Sequence, residues 1–151
     1  LSSSSAASDV YKRQLRDMGV EPFLLSSSLI GVVSQRLVRR LLPECREAYV
    51  PDAAECAMLG LDPASPPTLY RASEQGDCAG RAYSGRTGIH ELITVDATLA
   101  RMIHDGSSEQ AMEAHVRRSS PSLREDGLRK VMAGETSLDE VLRVTVADSE
   151  D

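Results

Sequence analysis

From Asp96 to Leu142 the chain is cut at short intervals by helix start and stop signals, and this punctuation limits what it can build. Asp96 opens a helix by accepting the first free N–H groups; Leu99, Met102 and Ile103 form its buried stripe and Gly106 closes it. Ser107-x-x-Gln110 is a capping box for a second helix, through about Arg118, with Ala111, Met112 and Val116 inward. Ser119-Ser120-Pro121 breaks that helix, and Ser122-x-x-Glu125 opens a third. Leu128, Val131 and Met132 fall at core spacing there, with Gly134 just past its end. Thr136-x-x-Asp139 or Ser137-x-x-Glu140 opens the last helix, with Leu138, Val141 and Leu142 inward. The carboxyl half therefore reads as a small array of short helices.

The amino half is less uniform. Gly19-Val20-Glu21-Pro22 is a helix entry, because Pro at a first helical position has no N–H to lose, and a short helix over Phe23–Leu29 follows. From Leu29 to Leu41 the residues support two readings. Leu29, Val32, Val33 and Leu37 form a helical stripe, while Ile30-Gly31-Val32-Val33 is β-branched enough for a strand, with Gln35 and Leu37 continuing one face. Pro43–Ala82 holds five of the seven prolines and all three cysteines. One helix, about Ala53–Leu59, is capped by Asp52 and ended by Gly60, and Pro63–Pro67 reads as an irregular loop. Ile89 and Leu92–Val95 give a second candidate strand its apolar run.

Composition excludes several classes. A net charge of −6 gives no broad attraction for nucleic-acid backbones, and with one Phe and no Trp, base-stacking platforms are scarce. No segment approaches the roughly 18 apolar residues of a membrane span. Three cysteines without a secretion leader suggest a reducing compartment and argue against a disulfide framework. The residues thus suggest an acidic cytoplasmic domain. A P-loop needs Gly-x-x-x-x-Gly-Lys-Ser/Thr, and the only lysines, Lys12 and Lys130, follow Tyr and Arg. His90, His104 and His115 are too widely spaced for a local metal or catalytic group, and the serine runs lack a Gly-x-Ser-x-Gly elbow. No catalytic constellation emerges. Ser4–Gln14 resembles read-through translation of a transposon adapter used in sequencing libraries, so residues 1–14 are expected to be a disordered scar and are left out of the fold argument.

Four blocks in fixed order carry a family resemblance: Leu15–Pro22, Gln35–Arg39, Gly85-Arg86-Thr87-Gly88-Ile89-His90-Glu91, and Leu123–Thr145. Together they resemble the carboxyl-terminal end of the secretion and pilus ATPases, most closely the assembly ATPase of bacterial type II secretion. The resemblance implies a mainly helical α/β fragment: outer strands of a RecA-like P-loop motor lobe, then a small helical array. It divides the chain into the end of the lobe (15–42, helix plus strand), an inserted small lobe (43–82), a strand with carboxyl-terminal helices (83–146) and a tail (147–151). It favours a strand after Leu29, pairing antiparallel with Gly85–Val95. The implied parent is a cytoplasmic homohexamer, peripheral on the inner membrane. It uses ATP and Mg²⁺ and touches the secretion platform proteins, with no nucleic-acid partner and no transmembrane segment. The fragment itself, without a P-loop, is expected to be inactive.

The same resemblance places Arg36 and Arg86 at a nucleotide or subunit interface, whereas the residues alone read as ordinary surface arginines. Glycines flanking Arg86 permit a tight turn into the strand, and Arg86 and Glu91, five apart, face opposite sides of it. Many type II secretion ATPases hold Zn²⁺ with two cysteine pairs. Here the matching positions read Leu42-Pro43-Glu44-Cys45 and Gln75-Gly76-Asp77-Cys78, so each pair lacks its first thiol. Tetrahedral zinc wants four ligands, so Cys45 and Cys78 are a degenerate metal site, and packed thiols are expected instead of zinc. The competing readings are a type IV pilus assembly ATPase, a non-catalytic helical interaction module and a zinc-binding regulatory domain.

Overall fold

The computed structural model describes residues 19–146. The adapter-like segment 1–14, the start of the first family block (15–18) and the tail 147–151 lie outside the described residues. In chain order the elements are α1 (Pro22–Ser28), β1 (Gly31–Leu41), β2 (Arg46–Tyr49), α2 (Ala53–Leu59), β3 (Leu69–Ala72), β4 (Tyr83–Thr94), α3 (Ala97–His104), α4 (Glu109–Val116), α5 (Leu123–Met132) and α6 (Leu138–Val146). The architecture is α/β, with two small antiparallel sheets, β1–β4 and β2–β3.

The ambiguous stretch after Leu29 is a strand. α1 enters on Pro22 and stops at Ser28, one residue short of the expected end, where Leu29 turns to extended backbone. β1 then pairs antiparallel with β4, from Gly31 opposite Thr94 to Arg39 opposite Arg86. Pairing settles the choice, because it completes both main chains and sorts side chains by parity. Ser34, Val38, Ile89, Glu91 and Ile93 are buried on one face, while Val33, Leu37 and Leu92 are exposed on the other.

Two apolar clusters hold helices to this ribbon, and a third joins the segment between the long strands to the last two helices. Leu25, Ile93, Leu99, Ile103 and Val116 join α1, α3 and α4 to one end of β4. Val38, Ile89 and Leu123 seat α5 under its middle. Leu69, Leu128, Val131, Leu138 and Val141, flanked by Tyr49, Leu59 and Leu61, pack the segment between the long strands onto α5 and α6. α5 and α6 approach closely because Gly127 has no side chain: a Cβ there would stand 2.5 Å from Val141 Cγ1.

Most helix signals act as read. Asp52 with Glu55, and Ser122 with Glu125, form complete capping boxes, and Gly60 and Gly134 take positive φ past their helices. Three expectations are corrected. Ser108, not Ser107, caps α4, accepting from the Ala111 N–H at 3.3 Å. Ser107 belongs to the stop before it: its N–H donates to the Met102 carbonyl at 2.9 Å, beyond left-handed Gly106. The slip leaves Ala111 exposed rather than inward. Met132, on the last turn of α5, is also exposed. At α6 the choice falls to Ser137, whose Oγ accepts from the Glu140 N–H at 3.4 Å. The Thr136 hydroxyl instead donates to the Arg39 carbonyl at 2.8 Å.

Candidate functional site

The far end of β1 carries the densest polar constellation. A strand edge leaves backbone groups unpaired, and here the α5–α6 turn and α6 take them up. The Leu41 N–H donates to the Glu135 carbonyl, Thr136 donates to the Arg39 carbonyl, and the Arg39 N–H donates to Glu140 Oε2 at 2.9 Å. Glu140 Oε1 also accepts from Arg39 Nε at 3.0 Å and Nη2 at 2.7 Å, and Oε2 accepts from Arg143 Nη2 at 2.9 Å. Burial alone would raise this carboxyl's pKa. The Arg39 and Arg143 hydrogen bonds outweigh that and lower it to about 2. The Arg39 guanidinium lies 4.3 Å from the centroid of the Tyr83 ring, and the Tyr83 hydroxyl is 2.7 Å from Ser137 Oγ.

Across the ribbon the register slips. Arg39 faces Arg86, but Leu41 faces Tyr83, so β4 carries one extra residue in a bulge. Gly85, at φ +71°, supplies the left-handed step that this bulge requires, which is the concrete use of the glycine before Arg86. Leu37, Arg39, Arg86 and Arg143 line a cleft of about 450 Å³. Among these four described lining residues three are arginines, so the cleft has a positively charged lining.

Arg36 and Arg86 are not brought together. Arg36 lies opposite Ile89 on the half-buried inner face, and Arg86 lies opposite Arg39 on the outer one. Sequence reasoning missed Arg39, Glu140 and Arg143. Arg39 was recoverable once the pairing partner was known, because register alone puts it across from Arg86. Glu140 was visible only as the last residue of a candidate capping box. Its carboxylate reaches Arg39 because of how α6 docks, which no local pattern encodes.

Arg86 and Glu91 do lie on opposite faces. Glu91 is buried and ion-paired with Arg117, whose guanidinium also reaches the Ser120 carbonyl at 3.1 Å. His90 is exposed, folded over Gly88, and its main-chain N–H donates to Asp126 Oδ2 at 2.9 Å. His115 Nε2 stands 2.8 Å from Asp96 Oδ2. The Leu99 N–H and then that ring hold the Asp96 carboxyl below its usual range.

Two cysteine expectations, packed thiols and the argument against a disulfide, need correction. Cys45 and Cys78 are joined in a disulfide across 33 positions, with Cα atoms 5.4 Å apart, rather than packing as thiols. Main-chain pairing explains the encounter: Leu42 N–H to the Ala82 carbonyl and Ser73 N–H to the Cys45 carbonyl, both at 2.8 Å, draw the two turns together. Cys56 is buried elsewhere as a free thiol, its nearest polar partner the Pro51 carbonyl at 3.9 Å. Among the described residues no group of three or more His, Cys, Asp or Glu could hold a metal ion. With its two sulfurs bonded to each other, this pair does not fit tetrahedral zinc.

The chain matches the family described as type II/IV secretion system protein over residues 3–143, and it belongs to that family. Among its relatives, it is 58% identical over 132 residues to the type II secretion system protein E of Pseudomonas aeruginosa, covering 87% of this chain and 26% of that protein. It is 53% identical over 132 residues, with the same coverages, to the type II secretion system ATPase E of Vibrio cholerae. A third, the type II secretion system protein E of Aeromonas hydrophila, is 47% identical over 135 residues, 89% of this chain and 27% of that protein. The chain thus spans about a quarter of the length of these relatives. No helix among the described residues is long and apolar enough to cross a membrane.

Proposed function

We propose that this chain is the carboxyl-terminal part of an ATPase that powers type II protein secretion. The carrying observation is 58% identity, sustained over 87% of the chain, to a type II secretion system protein E. A relative named as the secretion ATPase, at 53%, supports the catalytic character of the parent. The relatives' names favour secretion over the pilus reading.

In this reading the β1–β4 ribbon is the outer edge of a RecA-like lobe, and α3–α6 brace it. The parent binds ATP and Mg²⁺ through residues outside this chain, works as a homohexamer and sits in the cytoplasm against the membrane platform. This part supplies packing and subunit contacts. Alone it hydrolyses no ATP, since phosphate cradling needs a Gly-Lys loop that its sequence does not contain.

A chimera tests the reading. This chain replaces the matching quarter of the Pseudomonas protein, and ATP hydrolysis and secretion by a strain lacking its own copy are measured. Restored hydrolysis and secretion are expected. A folded chimera that hydrolyses no ATP and exports nothing overturns the assignment.

A further inference from the structure

Like charges directly opposite each other on an antiparallel pair are destabilising. Arg39 and Arg86 are such a pair, and Arg143 from α6 lines the same cleft. One carboxylate, Glu140, serves Arg39 and Arg143 from the buried side, while Arg86 has no acidic partner among the described residues. The molecule as a whole carries a net charge of −6, so this is a local excess of positive charge against the general balance. The bulge at Gly85 sits directly before Arg86, and bulges commonly re-aim a side chain. Arg39 is held by its bonds to Glu140 and its stacking on Tyr83, so much of the cost of ordering it is met before anything binds.

We infer that the cleft between Arg39, Arg86 and Arg143 binds a phosphoryl group. Guanidinium forks match phosphate oxygens in bidentate fashion, and three cations with one carboxylate favour a multiply charged anion over a single carboxylate. The volume, about 450 Å³, lies in the range of small-ligand sites. Leu37, roughly half exposed at the same mouth, adds an apolar wall beside the charges. The group could belong to a soluble phosphate compound or to a lipid headgroup, and the chemistry recognised is the same. The inference does not depend on the parent's ATPase activity, because the chain itself carries all four lining residues.

The test uses the full chain at fixed ionic strength, since exposed charges are screened by salt. Inorganic pyrophosphate is titrated calorimetrically, and co-sedimentation is measured with phosphatidylcholine vesicles with and without phosphatidylglycerol. The variants are Arg86→Ala, Arg86→Lys and, as a control, Arg101→Ala on the exposed side of α3. Arg86 is exposed and faces a like charge, so neither variant should lower the melting temperature, and Arg86→Ala should if anything raise it slightly by removing the repulsion with Arg39. Saturable pyrophosphate binding is expected, weakened roughly tenfold or more by Arg86→Ala, less by Arg86→Lys, and not by the control. Phosphatidylglycerol-dependent co-sedimentation lost in Arg86→Ala, without pyrophosphate binding, upholds the site and assigns it to a headgroup. Absence of both, or binding indifferent to Arg86→Ala, overturns it.

Discussion

Glu140 concentrates the energetics of one end of the molecule in a single carboxylate. It is 2% exposed and accepts bonds from the Arg39 main chain, the Arg39 guanidinium and Arg143. Its pKa falls from an ordinary 4.5 to about 2 in the folded state. A lowered folded-state pKa adds stability above the unfolded value, and that stability is lost as pH falls from about 4.5 through about 2. Glu140→Gln should therefore cost about 3 kcal/mol at pH 7, with the deficit shrinking through that acid window. Denaturant unfolding of both proteins across the pH range measures this; parallel curves would refute it. None of this was legible locally. A Glu three residues after a Ser reads as a helix-cap partner, and only docking of α6 on the edge of β1 converts it into the counter-ion of a strand.

At the scale of elements, local rules worked where the deciding interactions are local. The cap and stop residues of α2, α3 and α5 act within a turn or two, so their types and spacing are sufficient. The Ser107–Ser108 slip shows the margin: both hydroxyls were available, and the backbone geometry after Gly106 chose. β1 is the opposite case, since its partner lies about fifty positions downstream and helix and strand patterns coexist in the same residues. The turns bearing Cys45 and Cys78 meet only because both sheets form. Their disulfide closes a loop of 33 positions, which by chain entropy contributes about 3–4 kcal/mol. Thiol titration of the denatured chain should find one thiol without reductant and three with it, and reduction should lower the unfolding midpoint accordingly. Three thiols before reduction would show the bond absent.

The whole molecule has one conspicuous imbalance. Val33 at 66% exposure, Leu92 at 59% and Leu37 at 48% lie together on the outer face of the ribbon, with Ile30 at 85% near its end. An apolar strip of that kind marks a surface that is normally covered, and the chain spans about a quarter of its relatives' length. The isolated chain should associate in a concentration-dependent way, and Leu92→Lys should keep it monomeric with an unchanged melting temperature, as sedimentation and thermal unfolding would show. Finding the unsubstituted chain monomeric would remove the premise. The sequence by itself determined the short capped helices, the family and the lack of a phosphate-binding loop, because each rests on residue type and near spacing. The strand after Leu29 and its antiparallel partner were already implied by the family resemblance, and the structure bears them out. The tertiary structure alone decided the Arg39–Glu140–Arg143 cluster, the register that sets Arg39 against Arg86 and the joining of Cys45 to Cys78. In each of these the partners are far apart in the chain, and only register and docking bring them within bonding distance.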